Sequence, residues 1–475
     1  MGAVRFVCAL AIVGTLLGTA AVASADDSFL GPYVWGKPFV VDTNDGGLYT
    51  PPRPDLKVAC AAVTLCVGVD DFGGLVTSTD PARQASWRFE QLTTNTCNSS
   101  CGLFDGLACP SVTLCIAFDG HGQVFTSRSP ADGAGSWTAK TVGSPTFHRL
   151  ACVSDTLCLA GDRGGILLST DPAGESWEPV TFDTAPCPAY DTCQSPTPAI
   201  GPVSCVSAQL CVAGDTSGRV FASADPAHPA AWQEVFADPA QVLGAHQYIQ
   251  ATIDALACVT PRRCFGSDGA GNTITSADPL TPGSWTSTPN RVGRSSPAPF
   301  SQITCPGSDR CVAVFGDDVL AMADGPEETS SFIGYRLKLL YGSSISCPDA
   351  RTCFVASQDG GISRGHAPEY TAADLRRLLR AELVPTQRLT VATPVGAAVD
   401  IAWFSGAKLV ASAGRRFDRP GKRAMTMRLT RLGRSLRDHH PHRSVTARAV
   451  LVVPGHSPLQ ASRRLRPRWT LSRPQ

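Results

Sequence analysis

The stretch "LACVSDTLCLAGDRGGILLSTDPAGESW", residues 150–177, decides the fold. It compresses a Cys-x5-Cys pair, a Gly-Asp-x-Gly-Gly turn and a Ser-Thr-Asp-Pro-x-Gly-x-x-Trp tail into one short run. The same order returns with first cysteines at 60, 109, 152, 205, 258, 305 and 347, a period of 42 to 53 residues. A period of that size fits one four-stranded propeller blade. Within each copy "RLAC", "LCLAG", "GILLST" and "WEPVTF" read as four short strands, a to d, rich in β-branched and aromatic residues and divided by turn residues. No helix-length amphipathic window interrupts them, which argues against an α-solenoid of similar period.

The cysteines fit this frame. At x5 spacing Cys60 pairs with Cys66, Cys109 with Cys115, Cys152 with Cys158, Cys187 with Cys193, Cys205 with Cys211, Cys258 with Cys264, Cys305 with Cys311 and Cys347 with Cys353. Cys97 and Cys101 form a ninth pair at shorter spacing. An even count in an exported chain reads as disulfides. Tetrahedral zinc, the rival reading, favours C-x2-4-C knuckles in twos. Each x5 pair of the repeat joins the end of strand a to the start of strand b, where facing residues come within disulfide range. Export itself is read from Arg5, an apolar run from Phe6 to Val22 and Ala23-Ser24-Ala25, the form of a secretory signal peptide over residues 1–25. Cys8 leaves with it. No later run reaches the roughly 18 apolar residues of a membrane span, so the mature chain is expected to be secreted or extracellular, in association with the cell envelope.

The tails "STDPARQASW" (Ser78 to Trp87), "STDPAGESW" (Ser169 to Trp177), "SADPAHPAAW" (Ser223 to Trp232) and "SADPLTPGSW" (Ser276 to Trp285) resemble the Asp-box, the bacterial neuraminidase repeat, with a weaker version from Ser127 to Trp137. They depart from that family's Ser-x-Asp-x-Gly-x-x-Trp by a proline after the Asp and a longer run to the Trp. The resemblance implies an exported β-propeller of actinobacterial type, in which the Asp accepts turn N–H groups and the Trp packs between blades. The last copy lacks a Trp tail, and "YVWGKPFVVD" near the N-terminus supplies Trp35 and Phe39-Val40-Val41 in its place. The fold class expected is all-β: a seven-bladed β-propeller over residues 26–366, closed by an N-terminal strand, plus a small C-terminal β-sandwich.

After His366 the composition changes. "TAADLRRLLRAELVP" carries a Thr-x-x-Asp capping box and leucines at helical spacing, so residues 367–386 are expected to be a helical linker. Alternating segments over residues 387–475 resemble an immunoglobulin-like sandwich of the kind appended to actinobacterial exported proteins, with "MRLTRLGRSL" as its Leu-Thr-x-x-Gly-Arg turn. Residues 367–475 hold 21 Lys and Arg against 6 Asp and Glu, which leaves 20 against 34 in residues 1–366. The overall charge of +1 thus hides a dipolar chain. The basic domain suggests an anionic cell-wall polymer or lipid head groups as partner; a solvated spacer and docking on the propeller's own acidic surface are the competing readings. No nucleic acid is expected.

Catalytic signatures are absent. A sialidase needs an arginine triad, a Tyr–Glu pair and an acid Asp; no Phe-Arg-Ile-Pro motif occurs, and those enzymes have six blades. Another carbohydrate-active hydrolase or lyase stays open, because spacing in sequence does not report carboxylate separation in a ring. "DHHPH" (His439, His440, His442) and the Asp-Gly turns between strands b and c are read as turns, so neither a metal nor a cofactor is expected. Every sizeable insertion falls between strand d and the next strand a, on the face opposite the cysteine hairpins. Tyr190, Asp191, His246, Gln247, Tyr248, Arg291 and Arg294 are the exposed candidates there for an unknown protein or carbohydrate ligand. The functional expectation is a non-catalytic binding scaffold, similar in kind to photosystem assembly-factor propellers.

Overall fold

The computed structural model describes residues 28–30, 33–44, 54–93, 104–142, 148–174, 176–183, 198–238, 252–289, 300–307, 310–315, 319–324, 332–336, 342–417, 420–453 and 457–469. They divide into two compact units, residues 33–368 and residues 369–469 with the strand Ser28–Leu30.

The described part of the larger unit holds seven antiparallel sheets, over residues 57–91, 104–141, 148–181, 200–237, 253–289, 300–336 and 342–366, numbered here sheets 1 to 7. Sheet 3 is typical, with strands a to d at His148–Ser154, Leu157–Asp162, Gly165–Asp171 and Ser176–Thr181 paired in that order. Strands a of consecutive sheets lie side by side, and that of sheet 7 lies beside that of sheet 1. Serine and glutamine side chains stitch these inner strands: Ser344 and Ser346 accept from the Val58 and Cys60 N–H groups at 2.7 and 2.8 Å, and Gln302 accepts from Ile345 N–H at 2.8 Å.

Apolar clusters fill the spaces between sheets, each drawn from two consecutive sheets, and one of them joins sheet 7 to sheet 1 through Phe354, Ile362, Leu56 and Val76. The strand-d tryptophans belong to these clusters. Trp177 meets Phe118 of the preceding sheet edge-on at 4.7 Å between centroids, and Trp232 stacks on Phe182 at 4.5 Å. Edge-on and offset contacts suit the aromatic quadrupole, so the tail tryptophans fix the spacing of neighbouring sheets.

The tail turns are held differently from the expectation. The serine hydroxyl accepts the N–H two residues on: Asp80 to Ser78 at 3.1 Å, Asp171 to Ser169 at 3.2 Å, and Asp225 to Ser223 and Asp278 to Ser276 at 3.0 Å. The inserted prolines are buried, and the Trp87, Trp232 and Trp285 indoles donate to the carbonyls of Pro81, Pro226 and Pro279 at 3.1 to 3.2 Å. Asp171 alone among the four takes a turn N–H, from Gly174 at 3.1 Å. In the Trp87, Trp232 and Trp285 tails the carbonyl of the residue after the Asp is thus the acceptor for the tryptophan.

Seven disulfides are described, each spanning six residues of sequence with Cα atoms 4.0 to 4.1 Å apart. Cys60 faces Cys66, Cys152 faces Cys158, Cys205 faces Cys211 and Cys258 faces Cys264 in the strand a–b register. The other three bridges join Cys109 to Cys115, Cys305 to Cys311 and Cys347 to Cys353, at the points where the a–b registers of sheets 2, 6 and 7 shift. On the chain-entropy account a loop this short contributes about 2 kcal/mol. The two remaining expected pairs, Cys97 with Cys101 and Cys187 with Cys193, lie outside the described residues, as do residues 1–25. No helix among the described residues is long and apolar enough to cross a membrane.

Sheet 7 takes its outer strand from the N-terminal segment. Val34 and Trp35 pair with His366 and Gly365, and Phe39 and Val40 with Ile362 and Gly361. Gly365 is required there, since a Cβ would sit 2.8 Å from the Trp35 ring.

In the smaller unit, helix α1 (Ala372–Ala381) opens with the capping box, Thr371 accepting from Asp374 N–H at 3.1 Å and Asp374 accepting from Thr371 N–H at 3.1 Å. Its Leu375 and Leu379, with Leu383 beyond, are buried in the same core as Val391, Val399, Trp403 and Leu451. A five-stranded sheet runs in the order Arg428–Leu429, Lys408–Phe417, Ala397–Ser405, Val445–Val452, Leu459–Leu465, and Arg388–Thr393 pairs with Gly421–Thr426. The segment read as a Leu-Thr-x-x-Gly-Arg turn instead starts helix α2 (Arg431–His439), with the Thr430 hydroxyl capping Gly433 N–H at 3.1 Å. Leu432 packs against the core and Leu436 is buried in it. The helix ends in His439 and His440.

Candidate ligand face at the channel mouth

The turn between strands b and c follows one rule in several sheets. An Asp stands at the end of strand b or one residue past it, and a single carboxylate oxygen gathers the next turn's N–H groups. Asp70 takes Phe72 at 2.8 Å and Gly74 at 2.5 Å, Asp119 takes His121 at 3.0 Å and Gln123 at 2.7 Å, and Asp215 takes Ser217 at 2.9 Å and Arg219 at 2.7 Å. The glycine three residues after each Asp has φ of 81° to 85°, a region costly for other residues. These aspartates are turn fasteners, in line with the reading of the Asp-Gly runs as hairpins, and no group of three His, Cys, Asp or Glu suited to a metal occurs among the described residues.

Three of the aspartates at that position face a second carboxylate from the end of strand d of the preceding sheet. Asp183 and Asp215 share the Arg219 guanidinium, whose Nη2 lies 2.8 and 2.7 Å from their Oδ2 atoms. Among the described residues, Asp42 opposite Asp70 and Asp238 opposite Asp268 lack such a cation, with Gly74 and Asn272 in the place of Arg219. Burial, reinforced by the charge of Asp70, pushes Asp42 up to about 8. Burial and then the hydrogen bond and charge of Asp268 push Asp238 up to about 8. A carboxyl raised from its unfolded value of about 4 keeps a proton in the folded state that the unfolded chain releases. Stability from these groups is full below pH 4 and is lost as pH rises toward 8. The melting temperature in metal-free buffer should therefore fall between pH 5 and pH 8.5, and Asp238→Asn should flatten the decline; equal slopes for the two proteins would show that the pair does not carry it.

At the head of the inner strands a different group converges. Arg149, at the start of strand a in sheet 3, donates to the Ser301 carbonyl in sheet 6 at 2.5 Å. Sheets 3 and 6 are not neighbours, so this side chain bridges the space enclosed by the inner strands. Asp254 of sheet 5 lies within its electrostatic reach; burial raises the Asp254 carboxyl to about 6, while Thr252 and Arg149 hold it down. Arg149 has φ of 42°, beside a register shift between His148 and Leu150. Such a backbone persists only where surrounding structure enforces it, commonly at binding sites. The strand-a starts adjoin the long d–a insertions, so Arg149 and Asp254 sit on the insertion face.

Comparison with solved structures bears on the fold. YCF48 bound to D1 peptide is similar, with a TM-score of 0.50 and 13% identity over 70% of this chain and 97% of that one. U3-55K has a TM-score of 0.51 at 9% identity, over 71% and 100% of the two chains. The RRP9 WD40 repeats reach 0.52 at 10%, over 72% and 100%. The larger unit is a β-propeller. No family model and no curated protein matches the sequence.

On this propeller the sequence-derived candidates Tyr190, Asp191, His246, Gln247, Tyr248, Arg291 and Arg294 lie outside the described residues. Arg149 and Asp254 were not among them. A partial signal existed: four positions before the first cysteine five of the seven copies carry a polar residue, Asp105, His148, Asp254, Ser301 and Ser343, where a strand start would be apolar, and Arg149 adjoins that position.

Proposed function

We propose that this chain is an exported scaffold: a seven-bladed propeller of Asp-box type, closed by its N-terminal strand, that holds a protein or peptide partner on its insertion face without catalysing a reaction. The carrying observation is the Arg149–Ser301 bridge beside Asp254, a charged floor at the mouth of the channel. Seven sheets with inter-sheet clusters that return from sheet 7 to sheet 1 support the blade number, and Cys-x5-Cys bridges support an oxidising compartment. The YCF48 neighbour was solved with a peptide bound. The immunoglobulin-like reading of residues 387–475 makes them an accessory domain that meets anionic envelope polymers or head groups.

Selection of linear peptides on the full-length protein tests the reading. Enriched peptides should carry an acidic residue and lose about tenfold in affinity on Arg149→Ala, the size of one charge-assisted hydrogen bond. Peptides indifferent to Arg149→Ala would place the site elsewhere. Turnover of fluorogenic glycosides, abolished by a carboxylate substitution on that face, would instead favour the carbohydrate-active alternative.

A further inference from the structure

The smaller unit contains a groove of about 790 Å³ between helix α1 and the strand Leu459–Leu465, the outer strand of the five-stranded sheet. Arg376, Arg377 and Arg380 from the helix and Arg463 from the strand line it, with Gln460 and Ser462. All four arginines are exposed. The single ion pair described among them is Arg377 with Asp374 at 2.9 Å, and that carboxylate also serves the helix cap. Arg376, Arg380 and Arg463 have no acidic partner among the described residues.

This arrangement is unfavourable in isolation. Arg376 and Arg380 stand one helical turn apart, where like charges repel. Arg380 lies in the last turn, where a cation complements the helix dipole, but Arg376 and Arg377 have no such reason. Charge on an outer strand discourages edge pairing, and Arg463 with Arg464 would meet that need without the helix. An anion between the two elements removes the conflict.

We propose that this groove binds a phosphate-bearing polymer. The inference rests on the reading of the basic domain as the part that meets anionic partners, and it assigns that role to one place. Guanidinium forks pair with carboxylate and phosphate alike, but the oxygens of a phosphate can accept from several forks at once where a carboxylate offers two, so a groove lined by four arginines favours phosphate. The groove is a concave pocket open to solvent; contact with a bilayer would call for a protruding basic surface flanked by apolar side chains. Gln460 and Ser462 add neutral donors for ester or sugar oxygens between phosphates.

Titration calorimetry on the full-length protein with inorganic polyphosphate, polyglutamate and phosphatidylglycerol vesicles separates the possibilities. Polyphosphate should bind more tightly than polyglutamate and weaken with added salt. Arg376→Glu with Arg380→Glu should lower the polyphosphate affinity about tenfold or more, while Lys422→Glu with Arg423→Glu, an equal change of charge on the same domain, should stay within about twofold. Equal losses in the two double variants would overturn the groove and leave a domain-wide attraction standing. Binding to vesicles but not to polyphosphate would replace the polymer by a membrane. Absence of binding to all three probes would remove both the groove and the reading it rests on. Circular dichroism of each variant confirms that the comparison is between folded proteins.

Discussion

Arg219→Ala should lower the free energy of unfolding by about 3–5 kcal/mol, the range for breaking a buried ion pair by removal of one partner. Arg219 is 13% exposed, and among the described residues its guanidinium is the only cation in contact with both Asp183 and Asp215, which are 1% and 0% exposed. Alanine would strand two carboxylates beside each other in a dry seam between sheets 3 and 4. The ring of Phe221, which the guanidinium overlies at 5.4 Å, loses its cover as well. Arg219→Met combined with Asp183→Asn and Asp215→Asn should recover most of the loss, because the cost lies in the unpaired charges and not in the missing attraction. Urea unfolding followed by tryptophan fluorescence measures both. A loss below about 1 kcal/mol in the single variant, the level of an exposed pair, would mean that water reaches the seam.

The second large effect is expected at the ring's join. Removal of residues 26–45 takes Val34–Trp35 and Phe39–Val40 from sheet 7 and strips Tyr33, Trp35 and Phe39 from the apolar clusters on its two sides. The backbone of Gly361–His366 would then be an unpaired edge over exposed apolar surface, a template for association. The shortened protein should precipitate or elute as large oligomers at temperatures where the full chain is monodisperse. Gly365→Val is the single-site version, since any Cβ there meets the Trp35 ring; it should lower the melting temperature while leaving the other sheets' disulfides intact. A shortened protein equal to the full chain in melting temperature and solubility would show that sheet 7 needs no fourth strand.

What the sequence made legible is what repeats within a few residues. The Cys-x5-Cys pairs and the Asp-Gly turns act inside one hairpin, so they could be read from spacing, whereas the Ser-to-Trp tails were located by resemblance, which placed the acceptor of their turn N–H on the Asp and not on the serine hydroxyl. The N-terminal strand was legible for a related reason: sheet 7 lacks a Trp tail and Trp35 has no sheet of its own. Arg149 and Ser301, 152 residues apart, become partners only after the inner strands are arranged around a common space. The carboxylate pairs were hidden for the same reason, since Asp42 and Asp70, or Asp183 and Asp215, come from different sheets. Arg219 did carry a sign, a basic residue where the other copies have Gly74, Gln123 and Asn272. Helix α2 was missed because a short motif resemblance was weighed above Leu432 and Leu436, which stand one helical turn apart.

Every described disulfide closes within its own hairpin, six residues of sequence apart, and none links one sheet to another. Oxidative folding is thereby reduced to a set of independent local choices. As the chain is synthesised from its N-terminus, each of these cysteines meets its partner before the next described pair has appeared, and mispairing among them has little opportunity. The same locality means that the described bridges place no limit on how far the sheets can separate. Pulled from its two ends, this protein should yield sheet by sheet, each release limited in length by one closed hairpin, with the oxidised turns left intact as the ring comes apart.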